Sequence, residues 1–395
     1  MTKRRIAVLG CTGSIGTQTL SILAAHPDRF EACMVSAHRS RDALEATVRT
    51  HRPAAAVLTL AGQQPPDLPP DTLWFEGEQG LLDALDRTEP DVVLNAITGA
   101  AGLAASEWTL RHGRTLALAN KESLVVAGDY LMPLAKRTGA RILPVDSEHC
   151  AIFQCLDGED PEAVRRVLLT GSGGPFRTRP MDTFATITKD EALRHPTWKM
   201  GPRITIGSAT MMNKAFEVLE AHWLFDLAPE RIEVVLHPQS IVHSMVEYRC
   251  GSILAQCGVP DMRAPILFCL GYPERLPFDG FEPFSFDRWR SLEFHEFEPE
   301  RYPAVALAYQ ALRLGGDAGA LLNAADEVAT EAFLNGQISF PEITQISEHV
   351  LRERPARPIR CLADAVAADR EGRRLAGLRC GDSIATPHLD DTPTD

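Results

Sequence analysis

No CxxC pair and no zinc-ribbon spacing occurs among the nine cysteines, which are scattered from Cys11 to Cys380. Neither a structural zinc site nor a dithiol redox motif is therefore encoded. An odd set of scattered thiols builds no disulfide framework, and they read as reduced packing residues of a cytosolic protein. No run reaches the ~18 apolar residues of a membrane span. The opening MTKRR is basic, but only IAVL follows before Gly10, short of the apolar region of a signal peptide. Positive charge is in deficit, with 40 Lys and Arg against 53 Asp and Glu and a formal net charge of -13. A general nucleic-acid binder needs a net basic face to displace counterions, so that class is excluded, whereas a local basic pocket for a small phosphate is not. No internal repeat is present. A cytoplasmic location follows, with neither a membrane nor a nucleic-acid partner.

A chain of 395 residues exceeds one ordinary compact core and implies two or three domains. From Arg5 to about Pro144, short apolar runs alternate with amphipathic segments, the pattern of a parallel sheet with crossover helices. Strands are expected at Ile6–Leu9, Ala32–Ala37, Ala55–Leu60, Val92–Asn95, Thr115–Ala119 and Arg141–Leu143, and a Pro-rich loop covers Gln63–Pro70. After Asp146 the periodicity changes, with a strand at Val164–Thr170 and a long helix near Met211–Phe225. The fold class is α/β: a Rossmann-like domain over 1–146, an α+β domain over 147–285 with a lid loop at about 192–202, a connector over 286–304 and a small helical bundle over 305–381. The polar tail 382–395 is expected to be disordered.

IAVLGCTGSIGTQTL is an apolar strand, then glycines at 10, 13 and 16, then a helix-compatible run. Gly10 permits the tight turn, Gly13 lets the backbone approach a pyrophosphate, and Gly16 allows close helix–strand packing. The N-terminus of the following helix faces the anion. At the end of the second strand, NAD selection normally places an acidic residue, but His38, Arg39 and Ser40 stand there, which favours NADPH.

PVDSEHCAIF holds Asp146 and Glu148 two residues apart, on one face if the backbone is extended. Two such carboxylates suit a divalent cation, while a helix cap by Asp146 or Ser147 is the plainer reading. In RITIGSATMMNKAFEVLEAHWLF, Ser208 can cap a helix on which Asn213 and Glu217 share a face and Lys214 is adjacent. Those polar groups stand among apolar ones and need partners. LLTGSGGPF is a glycine-rich turn whose backbone N–H groups and Ser172 hydroxyl could cradle phosphate, and RHPTWKMGP carries His195 and Trp198 in a Pro-flanked loop of lid-like composition. His237 in LHPQSIVH and Lys121 with Glu122 in ANKES complete the set, Lys121 at the carboxyl end of a strand.

Taken in order, GCTGSIG, ANKES, PVDSEH, LTGSGGPF, RHPTWKMG, SATMMNKAFE and HPQSIVHSM resemble the 1-deoxy-D-xylulose 5-phosphate reductoisomerase family of the non-mevalonate isoprenoid pathway. The likeness extends through LNAADEVATEAFL and leaves out only the last dozen or so residues. It implies rearrangement of 1-deoxy-D-xylulose 5-phosphate, a phosphorylated sugar, and its reduction by NADPH to 2-C-methyl-D-erythritol 4-phosphate. It further implies that Asp146, Glu148 and Glu217 hold one Mg²⁺ or Mn²⁺ per active site, and that Lys121 and Ser147 contact substrate oxygens. Ser172, Ser208, Asn213 and Lys214 would hold the phosphate or neighbouring hydroxyls, with His195 and Trp198 closing over it. Thr12, Gly13, Ser14, Ile15, Ala37, His38, Arg39, Asn120, Glu122 and Gly201 would contact the cofactor, and the chain would form a homodimer.

Two departures stand out: Gly207 where many members carry Asp, and AHRS where some relatives read GKN. Neither touches the proposed metal triad. Another NADP-dependent dehydrogenase of the semialdehyde type would share the first domain but commonly lack the triad, and a plain NADP-binding module would leave the second domain unexplained.

Overall fold

The structure is a computed structural model that describes residues 3–194 and 201–381. In chain order it contains β1 (Arg4–Leu9), α1 (Ser14–Ala25), β2 (Phe30–Ala37), α2 (Arg41–His51), β3 (Ala55–Leu58), β4 (Leu73–Glu76), α3 (Gly77–Thr88) and β5 (Val92–Asn95). Next come α4 (Leu103–Arg111), β6 (Thr115–Leu118), α5 (Glu122–Thr138), β7 (Arg141–Pro144), α6 (Ser147–Leu156) and β8 (Val164–Gly171). The remainder is α7 (Lys189–Ala192), α8 (Pro202–Thr210), α9 (Met212–Phe225), β9 (Ile232–Leu236), β10 (Val242–Tyr248), β11 (Ile253–Cys257), α10 (Arg263–Gly271), α11 (Pro303–Leu314), α12 (Ala318–Leu334), α13 (Phe340–Glu353) and α14 (Leu362–Cys380).

Packing groups these elements into two units, each drawn from two stretches of chain: up to Ser172 with Glu220–Phe297, and Gly173–Leu219 with Glu298 onward. A consecutive reading of the sequence does not anticipate this interleaving, and the division falls inside α9.

The first unit holds a seven-stranded sheet of order β4-β3-β2-β1-β5-β6-β7, every pair parallel. This is the Rossmann-like sheet expected, with β4 as an extra edge strand beyond the Pro-rich loop. Alternate residues of its strands enter opposite cores. Ile6, Val8, Ala56, Leu58, Val92 and Leu94 pack with Leu20, Leu44 and the Ile266–Leu270 face of α10. Ala7, Leu9, Ala55, Val57 and Val93 pack instead with Leu81, Leu85 and Trp108. A sheet covered on both faces reads as continuous apolar runs, which is why these short strands are legible in the sequence. The same unit holds a four-stranded sheet of order β11-β10-β8-β9, mixed because β8 pairs parallel to β9 and antiparallel to β10. Of these strands only β8 was anticipated.

In the second unit, α12 packs against α8, α13 and α14. Several polar groups on or beside α12 are paired: Arg203 of α8 bonds to Asn323 Oδ1 at 3.1 Å and Glu327 at 2.8 Å, and Asp317 at the N-cap accepts from Arg354 at 2.6 Å. Ser208 does not cap α9. It lies within α8, which ends at Met211 in the left-handed region, φ +61°, so a one-residue break separates the two helices.

Gly207, mid-helix and buried, has room for a side chain, since a Cβ there would lie 3.6 Å from the Asn213 amide nitrogen. Gly207→Ala is expected to raise stability by ~0.5–1 kcal/mol through reduced unfolded-state entropy. A lower midpoint in denaturant titration would show the site is tighter than this.

Candidate cofactor and carboxylate site

The order of the large sheet reverses between β1 and β5, and ligands of open α/β sheets bind outside the carboxyl ends of strands at such a point. Gly10 follows β1 there, with φ +78°. A Cβ on it would sit 2.7 Å from the Ala96 carbonyl oxygen after β5, and one on Gly16 would sit 2.3 Å from the Gly10 carbonyl oxygen. Only hydrogen at both positions lets α1 start this close to the strands. Gly13 occupies the N-cap of α1 with no side-chain cap, and Gly13 and Ser14 are exposed, with Thr12 and Ile15 half-buried. The first turn of α1 therefore faces solvent, as an anion site requires.

At the neighbouring strand end, Ala37 is buried while His38, Arg39 and Ser40 are exposed. His38 Nδ1 lies 2.9 Å from the Thr59 hydroxyl. Partial burial, and then the Arg39 guanidinium, hold this imidazole below its usual pKa range.

Beyond β5, Asn95 donates to the Gly102 carbonyl at 2.8 Å and to Ser106 Oγ at 2.9 Å, and Ser106 meets Ser123 Oγ at 2.8 Å. Asn120 donates to the carbonyls of Ile97 and Gly99 and to Glu122, and accepts from the Ser123 amide and hydroxyl. It is 2% exposed. The side chain of Asn120 is thus turned inward to shape the 97–102 loop. Asn95, Ser106 and Ser123 were not singled out from sequence; the polar end of the apolar run VVLN was the available signal.

Asp146 and Glu148 do not share an extended strand. Asp146 stands at the N-cap of α6, Glu148 in its first turn, and Asp146 makes no side-chain cap bond. Its carboxylate instead pairs with Lys121 Nζ at the N-terminus of α5, which overturns the capping reading. Ser147 donates to Glu148 Oε2 at 2.6 Å. Behind them lies His149, fully buried, 3.9 Å from Asp146 Oδ2 and 3.7 Å from Glu220 Oε2, and Asp146, His149 and Glu220 present ligand atoms all within 4.8 Å of one another. Neither His149 nor Glu220 was picked out from sequence, although each lies three residues after a candidate, the spacing that shares a helix face.

Within the second unit, Lys214 and Glu217 are both buried, at 4% and 3% exposure, and form an ion pair one turn apart on α9. Gly174, φ +66°, comes so near α8 that a Cβ would lie 2.7 Å from the Ser208 carbonyl oxygen, so the glycine-rich turn and Ser208 are neighbours. Asn213 and Ser208 are half-buried and Gly201 is exposed, while Ser172, which belongs to the first unit, directly follows the end of β8. His195 and Trp198 lie outside the described residues. His237 is structural: its Nδ1 faces the Glu293 carbonyl at 2.7 Å, its Nε2 accepts from the Ile241 amide at 3.1 Å, and burial lowers its pKa.

The family model of 1-deoxy-D-xylulose 5-phosphate reductoisomerase matches residues 6–128, that of its C-terminal domain matches 142–225, and that of a further DXP reductoisomerase C-terminal domain matches 257–375. The chain belongs to the 1-deoxy-D-xylulose 5-phosphate reductoisomerase family. It is 45% identical over 387 residues to the reductoisomerase of Anaeromyxobacter dehalogenans, covering 97% of this chain and 99% of that one. It is 47% identical over 389 residues to that of Cupriavidus metallidurans, covering 96% and 98%. Among solved structures, the Zymomonas mobilis enzyme in complex with NADPH superposes with a TM-score of 0.88 at 39% identity, covering 97% of this chain and 100% of that one. A DOX-P reductoisomerase in complex with NADPH, fosmidomycin and magnesium gives a TM-score of 0.89 at 37% identity, covering 95% and 98%.

Gly16→Ala is expected to lower stability by ~1–3 kcal/mol through overpacking, and to weaken NADPH binding because α1 must move off Gly10. Thermal melts and nucleotide fluorescence titration check both; unchanged binding would mean that the loop approach is not needed.

Proposed function

We propose that this chain converts 1-deoxy-D-xylulose 5-phosphate to 2-C-methyl-D-erythritol 4-phosphate, using NADPH and one divalent cation, in isoprenoid precursor biosynthesis. The observation that carries the reading is Asp146: placed where a helix cap belongs, it bonds instead to a lysine at the ligand-binding end of the sheet. A carboxylate so held, with Glu148 beside it and His149 and Glu220 behind, forms an oxygen-rich donor set that suits Mg²⁺ or Mn²⁺.

In this reading Asp146, Glu148 and Glu217 hold the cation. Glu217 precedes Glu220 by one turn of α9 and so lies on the same helix face. When bound, the cation supplies Lewis acidity to the substrate oxygens and NADPH supplies the hydride. The chain's own residues do the rest. Ser147 orients the Glu148 carboxylate and Lys121 restrains that of Asp146, while Lys121 and Ser147 also bind substrate oxygens. Ser172, Ser208 and Asn213 take the phosphate and neighbouring hydroxyls; Lys214, paired with Glu217, adds positive charge. Thr12, Gly13, Ser14 and Ile15 bind the pyrophosphate, Ala37, His38 and Arg39 the adenosine side, and Glu122, Gly201 and the loop shaped by Asn120 complete the cofactor site. His195 and Trp198 are assigned to the closing loop on the family resemblance. Residues 1–146 thus supply most of the cofactor contacts, 147–285 most of the metal and substrate contacts, and 305–381 a helical support.

The chain is further proposed to be a cytoplasmic homodimer. All nine cysteines are free, and no described helix is long and apolar enough to cross a membrane. Edge strand β11 exposes Ile253 and Leu254 at 51% and 42%, a surface that a second copy would cover.

Absorbance at the NADPH band should fall on adding 1-deoxy-D-xylulose 5-phosphate with Mg²⁺ or Mn²⁺, stop with EDTA, and slow by more than ~100-fold in Glu217→Gln, beyond the effect of an outer-shell change. No consumption with either metal would refute the activity. Light scattering of the intact chain should return twice the chain mass; a monomer at micromolar concentration would refute the dimer.

A further inference from the structure

The extension of β2 and β3 past their last paired residues brings two side chains together that neither strand alone would position. Thr59 donates its amide to the Ala37 carbonyl at 3.0 Å and Leu60 donates to the His38 carbonyl at 3.0 Å, so the backbone ladder continues through His38 and Thr59. Their side chains meet at 2.9 Å between Nδ1 and Oγ. Of the basic residues that follow β2, Arg41 is already engaged: it donates to the carbonyls of Gln64 at 2.9 Å and Pro65 at 3.4 Å and to Asp42 at 3.1 Å. That leaves His38 and Arg39, both exposed.

We propose that Thr59 is a positioning residue for cofactor selectivity, holding the His38 ring so that Nε2 is the nitrogen offered to the 2′-phosphate of NADPH. The proposal rests on the NADPH reading above. A neutral imidazole carries a single N–H, on one nitrogen or the other. With the Thr59 hydroxyl donating to Nδ1, the proton resides on Nε2, and a donor rather than a lone pair meets a phosphate oxygen. Burial and Arg39 favour the neutral ring, while Glu78 acts in the opposite direction, so the ring's tautomer matters at neutral pH. Arg39, adjacent in sequence, supplies the full positive charge that His38 lacks.

Calorimetric titration of the intact chain with 2′,5′-ADP and with ADP tests this without turnover. The wild type should bind 2′,5′-ADP more tightly. Thr59→Val, which keeps shape and removes the hydroxyl, should weaken 2′,5′-ADP binding by ~5–10-fold, the size of one ordinary neutral hydrogen bond, and leave ADP unchanged. Thr59→Ser should retain wild-type affinity. In a His38→Ala background, Thr59→Val should change neither ligand, because Thr59 acts only through the ring. Equal weakening for both nucleotides, no weakening for either, or a loss that persists without His38 would each overturn the proposal. A wild type with no preference for the 2′-phosphate would refute the NADPH-selectivity reading itself, whereas a preference that Thr59→Val leaves intact would refute the role of Thr59 alone.

Discussion

How near one backbone may come to another at the carboxyl end of β1 governs the cofactor side of this molecule. Gly10 lies against the Ala96 carbonyl and Gly16 against that of Gly10, each at a separation where a methyl group would collide. If either contact opened, α1 would back away from the sheet and its free N–H groups would no longer converge on one point. The β5 side of the crevice is held by a different means. There the buried side chains of Asn95, Ser106, Ser123 and Asn120 bond to one another and to loop carbonyls, so the 97–102 loop keeps one shape. Polar groups buried in this way cost stability unless all are satisfied, and when satisfied they specify a single conformation.

Charge is arranged by the same logic around Asp146. The start of a helix favours an anion, and α6 begins with Asp146 and Glu148. Lys121 at the start of α5 then supplies the compensating cation. On α9, Lys214 does the same for Glu217, both of them buried. Breaking such a pair by removing one member strands a charge, so these lysines support the carboxylates.

The core of the large sheet and the glycine loop were legible because each depends on local pattern: apolar runs four to eight residues long, glycines at fixed offsets, and a helix after them. The sheet of β8–β11 was only partly legible. Ile253–Cys257 is an exposed edge whose sequence ILAQC lacks clean alternation, and β9 and β10 acquire their partners from β8, more than sixty residues back in the chain. Ser208 reads as a cap in the sequence yet lies within α8, because nothing in SATMMNK announces a left-handed methionine.

From the sequence alone came the residue types at Asp146, Glu148, Glu217 and Lys121, the glycine spacing, and the basic stretch after β2, all of them short-range features. Tertiary structure decided what those residues touch. Asp146 bonds to Lys121, not to its own helix; His149 and Glu220 join it from positions that looked unremarkable; and Thr59, twenty-one residues beyond His38, meets the His38 ring. The reason is physical: a side chain's partner across strands or helices is set by the order in which elements pack, and that order is written in no single segment.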